Sequence, residues 1–217
     1  MPYGCGTWPA FWSNGPNWPN NGEIDIVEGV NGYTQNQASL HTRTGCTIPN
    51  DYGASGVLAA TGDNALNCAA EETGNQGCGQ LSNRPNNYGK AFNDNGGGVY
   101  AMKWDTSGIS VFFFPREAVP SDITSGQPMP STWGTPVGNW PAQSCDPFTF
   151  MKDHIMIFDT TLCGDWAGNG WNTANVGGQG QSCAASTGYS TCLDYIRNEG
   201  AAFKDAYWEV KSVKVYT

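Results

Sequence analysis

In the segment NGEIDIVEGVN, residues 21–31, three acids fall within six positions: Glu23, Asp25 and Glu28, separated by apolar residues. Side chains i and i+2 of a strand share a face, so Glu23 and Asp25 point one way while Ile24 and Ile26 point the other. Regular alternation would send Glu28 to the isoleucine face. One extra residue, a β-bulge near Ile26 or Val27, reverses the parity and returns Glu28 to the other two acids; bulges of this kind occur next to active sites, where they re-aim a side chain. Alternating acids also mark solvated sheet faces, but such faces balance them with cations, and no Lys or Arg lies between Met1 and Leu40. Uncompensated carboxylates raise one another's pKa, which keeps one of them protonated near neutral pH and able to act as an acid.

Two carboxyls about 5–5.5 Å apart, one ionised and one protonated, are what double displacement at a glycosidic bond requires. Trp8, Trp12 and Trp18 lie just upstream. Flat indoles suit the apolar faces of sugar rings, so the neighbourhood points to a neutral polysaccharide.

Several elements have to hold such a site. TWPAFW, residues 7–12, reads as a short strand, followed by the turn-rich SNGPNWPNNG and then the acidic strand. ASLHT at 38–42 fits a neighbouring strand, and antiparallel pairing would bring His41 beside the acids. Residues 44–98 are rich in Gly, Asn, Ser, Thr and Cys and read as long loops. GVYAMKW and ISVFFFPRE, joined by DTSG, form a hairpin that Pro115 ends. HIMIFDTTL at 154–162 and YWEVKSVKVYT at 207–217 read as further strands. Between them, a Gly-rich stretch over 164–189 carries Trp166 and Trp171. STCLDYIRNEG is the one helical pattern, with Ser190 or Thr191 as its cap and Gly200 at its end.

With 29 Gly, 13 Pro and 27 aromatic residues (Trp 9, Tyr 9, Phe 9) among 217, and only 13% charged residues, the composition is that of an all-β protein. The length suits one domain, residues 1–217, and no repeat or linker divides it. A net charge of −9 repels phosphate backbones and anionic lipid, and the scattered Lys and Arg form no basic run, so neither nucleic acid nor membrane is an expected partner. No apolar run approaches the length of a spanning helix. Eight cysteines without a C-x-x-C pair, and only two histidines, speak against zinc and for disulfides formed in an oxidising compartment, with Cys68–Cys78 the favoured near-neighbour pair. That implies a secreted, extracellular protein, although MPYGCGTWPAFW is not a signal peptide.

GTWPAFW followed by GEIDIVEGVN and SLHT resembles the core signature of glycoside hydrolase family 16, including its bulged E-I-D-I-V-E form. FPREAVPSDI, PSTWGTP, IMIFDTTLCGDWAG and FKDAYWEVKSVKVY extend the likeness to the fungal laminarinase-type members over nearly all of the chain. The resemblance implies a jelly-roll β-sandwich with an open substrate cleft on its concave face, and retaining endo-hydrolysis of β-1,3 or mixed β-1,3/1,4 glucans. Carried over by position, Glu23 is the nucleophile, Glu28 the general acid/base, and Asp25 the group that tunes Glu23. His41 matches a histidine beside the acid/base, or is a structural hydrogen-bond partner within the sheet. Trp12, Trp18 and Trp166 match sugar platforms, whereas Trp8 and Trp171 read as packing residues. No cofactor is implied; a structural calcium ion belongs to the family's repertoire, but no D-x-D-x-D loop supports one here, and no metal is expected.

In one respect the sequence departs from the family. Strands that precede the motif in family members have no counterpart here, which implies open edges, self-association or a separately retained N-terminal fragment, and leaves two alternatives to hydrolysis. One is a secreted β-glucan-binding or repurposed member with weak or no hydrolysis; the other is a transglycosylase.

Overall fold

The computed structural model describes residues 1–217, the side chain of Asp63 excepted. Nine strands form two antiparallel sheets. The larger sheet runs in the order β4 (Val57–Leu58), β5 (Gln80–Leu81), β3 (Gln37–His41), β2 (Glu23–Glu28), β1 (Thr7–Asn14) and β9 (Ile155–Leu162). The smaller consists of β6 (Gly98–Asp105), β7 (Gly108–Pro115) and β8 (Gly138–Pro141). Ile24, Ile26, Val27, Ala38 and Leu40 of the first sheet share one buried cluster with Ile109, Val111, Phe113 and Trp140 of the second. The fold is therefore an all-β jelly-roll β-sandwich.

Alternation places these side chains. On β7, Ile109, Val111 and Phe113 face the core, and their partners Trp104, Met102 and Tyr100 on β6 flank it. The β6–β7 pair is the expected hairpin. The strand of the 154–162 segment is β9, which pairs with β1 along its whole length.

Four disulfides link Cys5–Cys183, Cys46–Cys145, Cys68–Cys78 and Cys163–Cys192, the third being the favoured pair. Cys5–Cys183 and Cys163–Cys192 fasten a second small core around the fully buried Trp171. Helix Cys192–Asn198 is present, with the Thr191 hydroxyl accepting from the Asp194 N–H. Gly200 opens a 3-10 turn, Gly200–Phe203, instead of simply ending that helix. Short helices such as Gly89–Asp94 and Gly164–Asn169 also occur; runs this brief carry too little periodicity to register in the sequence. No helix among the described residues is long and apolar enough to cross a membrane.

One strand expectation is overturned. Residues 207–217 join no ladder; Tyr207, Val210, Val213, Val215 and Tyr216 are exposed. The segment has strand-like alternation, but a strand needs a neighbour's backbone to pair with. Its anchor is Trp208, whose indole N–H donates to the Asp159 carbonyl at 2.8 Å and whose ring packs edge-on against Phe158. The expected open edge is β9, where Ile155, Met156, Phe158 and Leu162 are exposed.

Candidate active site

Strand register settles where the three acids point. Against β1, Phe11 faces Val27 and Trp12 faces Asp25, so Ile26 is the extra residue of a bulge. Asn14 then pairs with Glu23 and Ala10 with Glu28. Ile24, Ile26 and Val27 turn into the core, and Glu23, Asp25 and Glu28 share the opposite face. On the other side of β2, His41 pairs with Glu23, and Ser39 with Asp25. His41 Nε2 lies 3.4 Å from Asp25 Oδ2, an ion-pair distance without hydrogen-bond alignment. The antiparallel pairing expected of ASLHT thus delivers His41 to Asp25 rather than to Glu28.

Burial governs the protonation of this cluster. Asp25 is 2% and Glu28 8% exposed, and among the described residues His41 is the one basic side chain within ion-pair distance of the acids. Desolvation, then repulsion from Asp25, raises Glu23 to about 8, partly offset by His41 and the Trp18 indole. Desolvation also raises Asp25, against which a hydrogen bond shared with Glu23 works in the lowering direction. Glu28 is raised well above the ordinary carboxyl range by desolvation and then by Asp25. At neutral pH the cluster therefore retains protons that free carboxyls would have lost.

The tryptophans take different places. Trp12 stands on the site face opposite Asp25, and its buried indole N–H works to lower the pKa of Asp159. Trp18, 41% exposed, sits in the turn between β1 and β2 beside Glu23. Trp166, on helix Gly164–Asn169, meets Trp8 and Tyr33 edge-on with ring centroids 5.8 Å apart in each case. Trp171 packs in the small core, as expected.

Trp8 requires a correction, because it is more than packing: its indole N–H donates to Glu28 Oε1 at 2.7 Å. Parity carried the signal, since residues 8, 10 and 12 share a face and Ala10 pairs with Glu28. Asp159 was also missed. It pairs with Ala10 from β9, which places a fourth carboxyl on the site face, where burial raises its pKa and its charge raises that of Asp25. Only the sheet order brings residue 159 beside residue 10. Immediately after Glu28, Gly29 is required by close approach: a Cβ there would stand 2.7 Å from Cζ of the buried Tyr88.

The family anticipated from the sequence is the one that comparison with known proteins shows. Residues 1–216 match the model of the XgeA-like catalytic domain of glycoside hydrolase family 16. The chain belongs to glycoside hydrolase family 16. A probable glycosidase of Schizosaccharomyces pombe is 43% identical over 219 residues, covering 100% of this chain and 48% of the relative. An endo-1,3(4)-beta-glucanase of Arthroderma benhamiae is 39% identical over 221 residues, covering 100% of this chain and 46% of the relative. Among solved family 16 structures, laminarinase 16A from Phanerochaete chrysosporium, with β-glucans in both donor and acceptor sites, is similar at a TM-score of 0.81 and 41% identity. An elongating family 16 β-1,3-glucosyltransferase is similar at 0.79 and 38%. Each of these two alignments covers 96% of this chain and 66% of the solved one. The chain thus spans about half the length of the two curated relatives and just under two thirds of the solved family 16 chains.

Proposed function

We propose that this chain forms one family 16 catalytic domain that hydrolyses β-1,3 or mixed β-1,3/1,4 glucans internally, with retention of configuration, by double displacement. The observation that carries the reading is the bulge at Ile26, which puts Glu23, Asp25 and Glu28 on one face where burial and mutual repulsion hold Glu28 protonated. Glu28 protonates the leaving oxygen, and Glu23 in its ionised form attacks the anomeric carbon, giving a glycosyl ester. Asp25, in contact with both Glu23 and His41, takes up the proton that Glu23 must lose before attack. Water then enters, Glu28 accepts its proton, and the ester opens with the original β configuration restored.

Trp12, Trp18 and Trp166 serve as sugar platforms around this centre, where stacked apolar ring faces supply affinity. An acidic domain with four disulfides suits a secreted protein acting on a neutral polysaccharide. Glucosyl transfer is the second reading, favoured by the likeness to the elongating β-1,3-glucosyltransferase. Time-resolved proton NMR with laminarin tests both. Hydrolysis with retention releases reducing ends first as the β anomer. Chains longer than the starting oligosaccharide would mean transfer, an initial α anomer would refute double displacement, and binding without any product would leave a glucan-binding protein.

A further inference from the structure

The bulge that aims Glu28 has a cost in backbone hydrogen bonds. The β2–β3 ladder ends at the Asp25–Ser39 pair, so beyond it the carbonyl of Ile26 and the N–H of Glu28 form no ladder pair with β3. Both groups belong to buried residues, and buried backbone polar groups without partners are strongly disfavoured. One side chain meets both. Asn36 Oδ1 accepts from the Glu28 N–H at 2.9 Å, and Asn36 Nδ2 donates to the Ile26 carbonyl at 3.0 Å. These two groups lie on either side of Val27 and point to the same edge of the strand, so the carboxamide stands where a peptide group of a neighbouring strand would have been.

Asn36 is itself fixed from two directions. Its side chain is 0% exposed, its N–H donates to Asn87 Oδ1 at 2.6 Å, and its carbonyl accepts from the Ser82 N–H at 2.8 Å. Asn87 is tied in turn, by its amide to the Arg84 carbonyl and by its own carbonyl to the Tyr100 hydroxyl. The brace therefore connects the acidic strand to β6 of the opposite sheet through side chains that leave the cleft face free.

We propose that Asn36 is a positioning residue that locks the Ile26 bulge and thereby holds the Glu28 carboxyl on the site face beside Trp8. Asn36 acts through Glu28 and does not touch substrate, so the inference rests on Glu28 being the general acid/base. Asn36→Ala should let the bulge relax and misdirect the proton donor, leaving Glu23 and the indole platforms in place.

The test exploits leaving-group chemistry. General acids contribute about 10²–10⁴-fold, and only where the leaving group needs a proton. For Asn36→Ala, kcat/KM on laminarin should fall about tenfold or more, with most of the loss in kcat. Cleavage of an aryl laminari-oligosaccharide with a good leaving group should fall much less, and azide should accelerate it. Equal losses on both substrates would overturn the proposal, because a general packing defect does not distinguish leaving groups. Should Asn36→Ala fail to fold by circular dichroism, Asn36→Asp carries the same test: it keeps the shape and the acceptor for the Glu28 N–H, and its laminarin-to-aryl rate ratio should drop in the same direction by a smaller factor. An unchanged ratio there overturns the proposal as well. Glu28→Ala runs in parallel. If that variant shows no leaving-group dependence, the assignment of Glu28 has failed; if it does and the Asn36 variants do not, only the positioning role has failed.

Discussion

Glu23, Asp25 and Glu28 were legible as a cluster because strand parity and the absence of nearby Lys or Arg are both written in the sequence. Their partners were legible only in part. His41 could be placed from antiparallel pairing, and Trp8 could have been found from the parity of residues 8, 10 and 12. Asn36 and Asp159 could not, since one acts on backbone groups that only the bulge exposes and the other arrives from 149 residues beyond Ala10. The raised carboxyl pKa values have a consequence for stability. Glu23 moves from 4.5 to about 8, so its proton is bound more tightly in the folded state. That contribution is fully present below the unfolded value and is lost as pH rises through about 8. Glu23→Gln keeps the shape without the titration. Its melting temperature, measured by calorimetry, should gain on the parent protein as pH is raised from acid to mildly alkaline. A difference that stays constant over that range would show that Glu23 carries no raised pKa.

The main strands were read correctly whether the partner lies near in the chain, as for β6 and β7, or far, as for β9 on β1, whereas alternation alone did not show that 207–217 has no partner. The β6–β7 hairpin closes across a short turn, and β3 follows β2 closely, so alternation and turn residues sufficed. Residues 207–217 have the same alternation but no partner strand, and the Trp208 indole anchors them to β9. The same absence leaves β9 with a free edge and with Met156 and Phe158 exposed. Phe158 is partly covered by Phe11, stacked at 4.2 Å, and by Trp208. An apolar edge strand of eight residues is a template for pairing with another chain. Sedimentation velocity over a dilution series should therefore show reversible self-association of this chain, and Met156→Lys should shift it toward monomer by placing a charge on the edge. A monomer at every concentration would argue that the tail and Trp208 already protect β9.

For the molecule as a whole, the formal charge of −9 and the acid cluster act in the same direction. The summed field disfavours anionic partners, and burial together with the neighbouring Asp25 holds Glu23 and Glu28 toward their protonated forms. Composition and the resemblance led to the sandwich and to family 16, because turn-rich aromatic sequence and the E-I-D-I-V-E motif are both properties of the chain itself. The division of labour between Glu23 and Glu28 is the central claim, and one measurement addresses it directly. Glu28→Ala is incubated with an aryl laminari-oligosaccharide whose leaving group needs no protonation, azide is added, and the anomeric configuration of the glycosyl azide is determined by NMR. With Glu23 as nucleophile, azide intercepts the glycosyl ester by a second displacement, so the product has the β configuration. An α-glycosyl azide would mean a single displacement and would contradict the account.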